Sequence, residues 1–209
     1  MLGIAHEFAH HFAGLLICGQ WGYKTFNSFE LAAGCAARQG STVFLATLAG
    51  PLFFNYIPMW VGFFRLRRAD AGEKLLGFSL VLASVPLLRI VPNLYWSNDE
   101  AWIVTNLFGR SHATFWAMNA LIWLIAVPPL VAAWRAVTNR WRVPVYLLFL
   151  VVVPGAVAAL FGGVLEPLIL EKRVLVGTLM GIPYLVWLAE ALATFGYWKL
   201  KAELRAAAP

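Results

Sequence analysis

Charged side chains are scarce in this chain: Asp, Glu, Lys and Arg make up 12% of its 209 residues, while 61% are hydrophobic. A soluble domain carries about a quarter charged residues. A water-facing globular protein is therefore excluded, and a mean hydropathy of +0.74 points to a polytopic membrane protein. Cysteine is nearly absent too. Cys18 and Cys35 have neither CxxC spacing nor further partners, which excludes a disulfide framework and a cysteine metal site. Both are expected to be small apolar packing residues. No run of Lys or Arg is interleaved with aromatics in a soluble segment, so nucleic acid is removed as a partner. The formal charge of +6 is read instead through loop placement and anionic lipid headgroups. The start of the chain lacks the basic stretch of a signal peptide, and histidines interrupt its apolar run, so it is not read as one.

What is abundant is apolar sequence. A helix crossing about 30 Å of hydrocarbon needs roughly 20 mostly apolar residues. Thr42–Phe64, Leu75–Pro92, Phe115–Trp134, Val143–Val164 and Val174–Phe195 meet that requirement, and a shorter apolar segment precedes Gly19. The expectation is an all-α, multi-pass membrane protein with about six transmembrane helices, folded as one domain over residues 1–209. Gln20–Ser41 is neither a spanning helix nor a charged loop; its partial alternation and its glycines predict a short hairpin or re-entrant element. Basic residues gather in three places: Arg65, Arg67, Arg68 and Lys74; Arg135, Arg140 and Arg142; and Lys199, Lys201 and Arg205. If those loops are cytoplasmic, the positive-inside rule is met and the C-terminus is inside; the charge bias alone leaves the orientation open. Asp99, beyond the far end of the third apolar segment, then falls on the outer side.

The feature carrying chemistry is His6-Glu7-Phe8-Ala9-His10, inside the first apolar segment. Residues four apart share a helix face, so His6 and His10 can hold one metal ion between them. Glu7 then sits beside the ion, where a carboxylate can take a proton from water. Ionisable groups within a bilayer are costly and mark functional sites. A catalytic zinc usually takes three protein ligands and keeps a fourth position open, so a third donor has to come from elsewhere. With only two aspartates and four histidines in the chain, the search is short. Asp70 lies in a basic loop and is read as solvated or paired with an arginine. Asp99 lies in a polar cluster between apolar flanks, where a buried carboxylate needs a partner such as a metal. It is the favoured third ligand, with Glu100 as its nearest competitor. His11 points about 100° around the helix from the His6/His10 face and is read as a supporting or headgroup contact, and His112 as a loop residue. Glu166 and Glu190 are read as interfacial or helix-packing acids.

These residues stand in a recognisable order. His6-Glu7-x-x-His10 in a first apolar helix, Ala49-Gly50-Pro51-Leu52-Phe53-Phe54-Asn55 in the next, and an Asp after a third resemble the site-2 protease family of intramembrane zinc metalloproteases. The resemblance spans about residues 1–109; residues 110–209 add further helices that match no pattern. It implies Zn2+ held by His6, His10 and Asp99, with Glu7 as general base. It also implies that Asn55 lies near the active site, as a residue that orients substrate or stabilises an oxyanion; a simple interhelical bond is the competing role for Asn55. The implied partners are membrane lipids and a transmembrane protein substrate, and the implied location is the cell membrane. Asn55, Asn93, Ser97 and Asn98 are expected to line a wet cavity that admits the water for hydrolysis. Two other readings share the same residues. One is a membrane zinc hydrolase acting on a lipid or a small amide. The other is a non-catalytic metal-binding membrane protein, whose site would be closed by four protein ligands.

Overall fold

In the computed structural model, which describes residues 2–138 and 140–206, the chain opens with helix α1 (Leu2–Cys18). α1 stops where Gly19 takes a left-handed φ of 71° and its N–H closes on the Leu15 carbonyl at 2.8 Å, the turn glycine makes without a Cβ clash. The expected hairpin follows. β1 (Tyr23–Lys24) pairs antiparallel with β2 (Phe29–Glu30), with Tyr23 opposite Glu30 and Lys24 opposite Phe29.

The hairpin folds the chain back so that Cys18 and Cys35 come to 5.5 Å between Cα atoms and form a disulfide. This corrects the expectation that both are packing residues. Their spacing of 17 residues carries no recognisable signal, because the proximity is made by the turn between them. A covalent loop of about this size restrains the unfolded chain by roughly 3 kcal/mol.

The long helices come next. α2 (Cys35–Leu66), α3 (Ala71–Asn93), α5 (His112–Ala136) and α6 (Arg142–Leu170) are the four described helices long and apolar enough to cross a membrane; between α3 and α5 lies the short α4 (Asp99–Phe108). α2 and α3 approach closely because a Cβ added at Gly62 or Gly77 would lie 2.7 Å from the other's carbonyl oxygen. Asp70 caps α3, accepting from the Glu73 N–H at 2.8 Å, which accounts for an acid in that basic loop. Met59, Leu66, Val81, Leu82, Ala126 and Ala133 form the main core where α2, α3 and α5 meet.

Four of the six expected spans are thus accounted for. α1 is shorter, at 17 residues, and Val174–Phe195 is not one helix. Thr178–Leu179 (β3) and Ile182–Pro183 (β4) form a second small hairpin, and α7 begins only at Tyr184 and runs to Ala206. Gly177, Gly181 and Pro183 explain the correction: that stretch is apolar enough for a span, but its backbone favours a turn. The two hairpins are joined by the Lys24 N–H donating to the Gly181 carbonyl at 3.0 Å.

α2 and α3 both depart from regular helix where the site will form. Pro51 cannot donate an amide bond, and Pro51–Tyr56 continues as a π turn, a feature frequent at functional sites. In α3, Val85 takes a φ of 43° ahead of Pro86, a left-handed conformation that costs energy for a branched residue. The Leu88 N–H consequently bonds the Val85 carbonyl at 2.9 Å, leaving the Ser84 carbonyl to another donor.

Candidate metal centre

That carbonyl starts a chain of bonds leading to His6. The Ser84 oxygen accepts from Asn55 Nδ2 at 2.8 Å, which fixes the amide so that its Oδ1 faces His6 Nδ1 at 2.7 Å. His6 therefore carries its proton on Nδ1. The same holds for His10, whose Nδ1 donates to the Ala46 carbonyl at 2.8 Å. With both rings neutral, as metal binding requires, the two Nε2 atoms are bare acceptors, and they face one another at 2.9 Å. Asp99 completes the convergence, with Oδ2 3.1 Å from His6 Nε2 and Oδ1 3.6 Å from His10 Nε2. Acceptors aimed at one point repel unless a cation lies among them. The His–Nδ1–carbonyl arrangement is also how metal-binding imidazoles are oriented. The donor set therefore fits a metal ion.

Glu7 stands beside this group, Oε1 4.0 Å from His6 Nε2, and His6, Glu7 and His10 offer ligand atoms within 4.8 Å of one another. Burial alone would push the Asp99 carboxyl up. The Arg89 guanidinium beside it opposes that and favours the ionised carboxylate. Gly50 explains how α2 comes so near: a Cβ there would lie 2.3 Å from His10 Nε2.

The structure brings His6, Glu7, His10 and Asp99 together and leaves the other candidates outside. The Glu100 carboxylate turns away, accepting from Tyr56 OH at 2.5 Å and lying 3.5 Å from Arg89 Nη1. His11 Nε2 donates to the Met180 carbonyl at 2.8 Å while its ring stacks on Trp21. His112 is exposed at the start of α5. Asn55 is adjacent to the site, and both ends of its amide are engaged by protein, an arrangement that orients His6. Asn93 and Asn98 donate to the Arg89 carbonyl, and Asn98 also caps α4 through the Ala101 N–H; they brace the backbone where they were expected to line a wet cavity.

Arg89 itself is the residue that sequence reasoning passed over. Its Nη1 donates to Asp99 Oδ2 at 2.7 Å. The available signal was its place as the lone charged residue in Leu75–Pro92, since a charge inside an apolar span implies a partner.

Glu166 and Glu190 hold the first hairpin in place. Glu166 accepts from the Thr25 hydroxyl at 2.5 Å and from the Phe26 N–H at 3.0 Å. Lys24, fully buried, sits 3.4 Å from Glu190 and over the Phe8 ring; burial pushes its ammonium below the usual lysine range, and Glu190 opposes that. So secured, the hairpin lays Phe29 flat on His10 at 4.4 Å between ring centres. Removing the Glu166 carboxylate (Glu166→Ala) should cost about 3 kcal/mol for two charge-assisted bonds. The expected result is a lower unfolding temperature in detergent and faster proteolysis within residues 20–34, with His6, His10 and Asp99 unaltered.

On its other side, Glu7 opens into a cavity of about 490 Å³ between α3 and α6, lined by Phe78, Leu82, Val157 and Phe161 with Asn27 at the hairpin tip. The site thus lies between an apolar chamber and a covering hairpin. Compared with family models, with curated proteins and with solved structures, the chain matches none.

Proposed function

We propose that this protein is a zinc-dependent intramembrane protease, a multi-pass protein of the cell membrane that hydrolyses peptide bonds of membrane-embedded segments. The observation that carries the reading is the pair of bare imidazole nitrogens, 2.9 Å apart, facing Asp99 with Glu7 alongside. Two histidines and one carboxylate are a catalytic zinc set, three ligands with a position left for water. Zinc, when bound, supplies the Lewis acidity that makes water nucleophilic near neutral pH. Glu7 accepts the water proton and delivers it to the leaving amine. The apolar chamber beside Glu7 suits a substrate arriving from the bilayer, locally unwound because a hydrogen-bonded helix hides its carbonyls. The order His6-Glu7…His10, Gly50-Pro51…Asn55, Asp99 favours a peptide over a lipid.

Two independent features support one orientation. The Cys18–Cys35 disulfide lies at the start of α2, and the basic loop after Leu66 lies at its other end. Disulfides persist on the oxidising side of a membrane, and positive loops stay inside. Both favour an orientation with the first hairpin outside and the basic loop after Leu66 in the cytoplasm.

Elemental analysis of detergent-purified protein tests the site. The wild type is expected to hold about one zinc per chain, and His6→Ala and Asp99→Ala to lose it, consistent with three ligands. A wild type that takes up no zinc when supplied with it would end the hydrolase reading.

A further inference from the structure

We infer that Arg89 is the positioning residue of the metal centre, acting through Asp99; the inference rests on the zinc reading above. Asp99 comes from the first turn of α4, 93 residues away from His6; the His6 and His10 Nε2 atoms facing it are acceptors, so a donor to its carboxylate has to come from elsewhere. Arg89 supplies it. Its Nη1 donates to Asp99 Oδ2 at 2.7 Å, and its side chain is 13% exposed. Glu100 flanks the guanidinium and is itself anchored to α2. Glu100 Oε2 lies 3.5 Å from the same Nη1, and Glu100 Oε1 takes the Tyr56 hydroxyl from α2. The Arg89 backbone is tied to the same region, its carbonyl accepting from Asn93 Nδ2 at 2.5 Å and Asn98 Nδ2 at 3.3 Å.

Charge explains why two acids flank one arginine. A guanidinium beside a metal ligand would compete with the ion for the carboxylate and repel the cation directly. Glu100 neutralises it, so Asp99 keeps its charge for the metal while receiving a rigid donor. What Arg89 then contributes is orientation: a short, charge-assisted bond restrains one carboxylate oxygen and points the group at the imidazoles. Residues of this kind alter metal affinity or activity by about 10- to 100-fold when replaced.

A double-mutant cycle on the full chain, read as Zn2+ affinity by chelator competition, tests this. R89Q is expected to weaken zinc binding about 10- to 100-fold, and R89K, which keeps one charged donor, to recover most of the loss. In the D99A background, R89Q should cost nothing further, because its effect travels through Asp99. Additive losses would overturn the inference. Unchanged or tighter zinc binding in R89Q, with only a lower unfolding temperature, would make Arg89 a structural ion pair and overturn it equally. If R89Q does not fold, R89K decides: affinity near wild type supports the inference, and a loss as large as that of D99A refutes it. Absence of zinc binding in the wild type would instead remove the hydrolase reading on which it rests.

Discussion

Replacing Glu7 with Gln should abolish peptide hydrolysis and leave the metal in place. Gln keeps the size and polarity of Glu but cannot accept the proton that water must lose, and a positioned base contributes about 10²- to 10⁴-fold to such reactions. The geometry sharpens the expectation. The Glu7 carboxylate is 4.0 Å from His6 Nε2, whereas the Asp99 carboxylate is 3.1 Å from the same atom, and Glu7 faces the apolar chamber while Asp99 is tied to Arg89. Glu7 therefore stands as a neighbour of the ion, on the side from which a substrate would come. Cleavage of a membrane-embedded reporter peptide, measured with zinc content on the same preparation, gives the answer. If zinc departs together with activity, Glu7 is a fourth ligand, and a closed, non-catalytic site becomes the better account. Undiminished cleavage would remove Glu7 from the chemistry.

The histidine pair was legible in the sequence because its geometry is local: His6 and His10 are one helical turn apart, and any helix through them makes the pair. The approach of Asp99 to that pair was legible for a different reason, the scarcity of acids in an apolar chain. The residues that orient these side chains were not. Asn55 reaches its position through a π turn after Pro51 and through a carbonyl freed by the break at Val85, and neither is visible in composition or spacing. The Cys18–Cys35 bond and the hairpin's attachment to Glu166 and Glu190 depend on chain segments meeting across 17 and more than 140 residues. The sixth apolar segment shows the converse failure. Val174–Phe195 passes on hydrophobicity alone, yet Gly177, Gly181 and Pro183 turn the chain before Tyr184. Hydropathy reports where a segment is content to sit; backbone chemistry decides whether it is one helix.

The second large effect is expected at a residue that binds nothing. Ala usually improves on Gly within a helix by up to about 1 kcal/mol, and Gly155, with open space around its Cβ position, should follow that rule. Gly50→Ala should do the opposite. Its methyl would lie 2.3 Å from His10 Nε2, 2.6 Å from His10 Cε1 and 2.8 Å from His6 Cε1, inside van der Waals contact with the facing edges of both rings. Neither ring can yield freely, since Asn55 and the Ala46 carbonyl hold their far nitrogens. Either α2 moves away from α1, at a cost of about 1–3 kcal/mol for overpacking, or the imidazoles tilt and the metal position is lost. Both routes predict that Gly50→Ala retains well under half of the wild-type zinc and is inactive, while Gly155→Ala retains full zinc and an equal or higher unfolding temperature. The comparison separates a steric effect at the site from a general intolerance of alanine in these helices. Full zinc and normal cleavage in Gly50→Ala would mean that α2 does not press its glycine against the histidine pair, and the architecture that aligns the site would have to be abandoned.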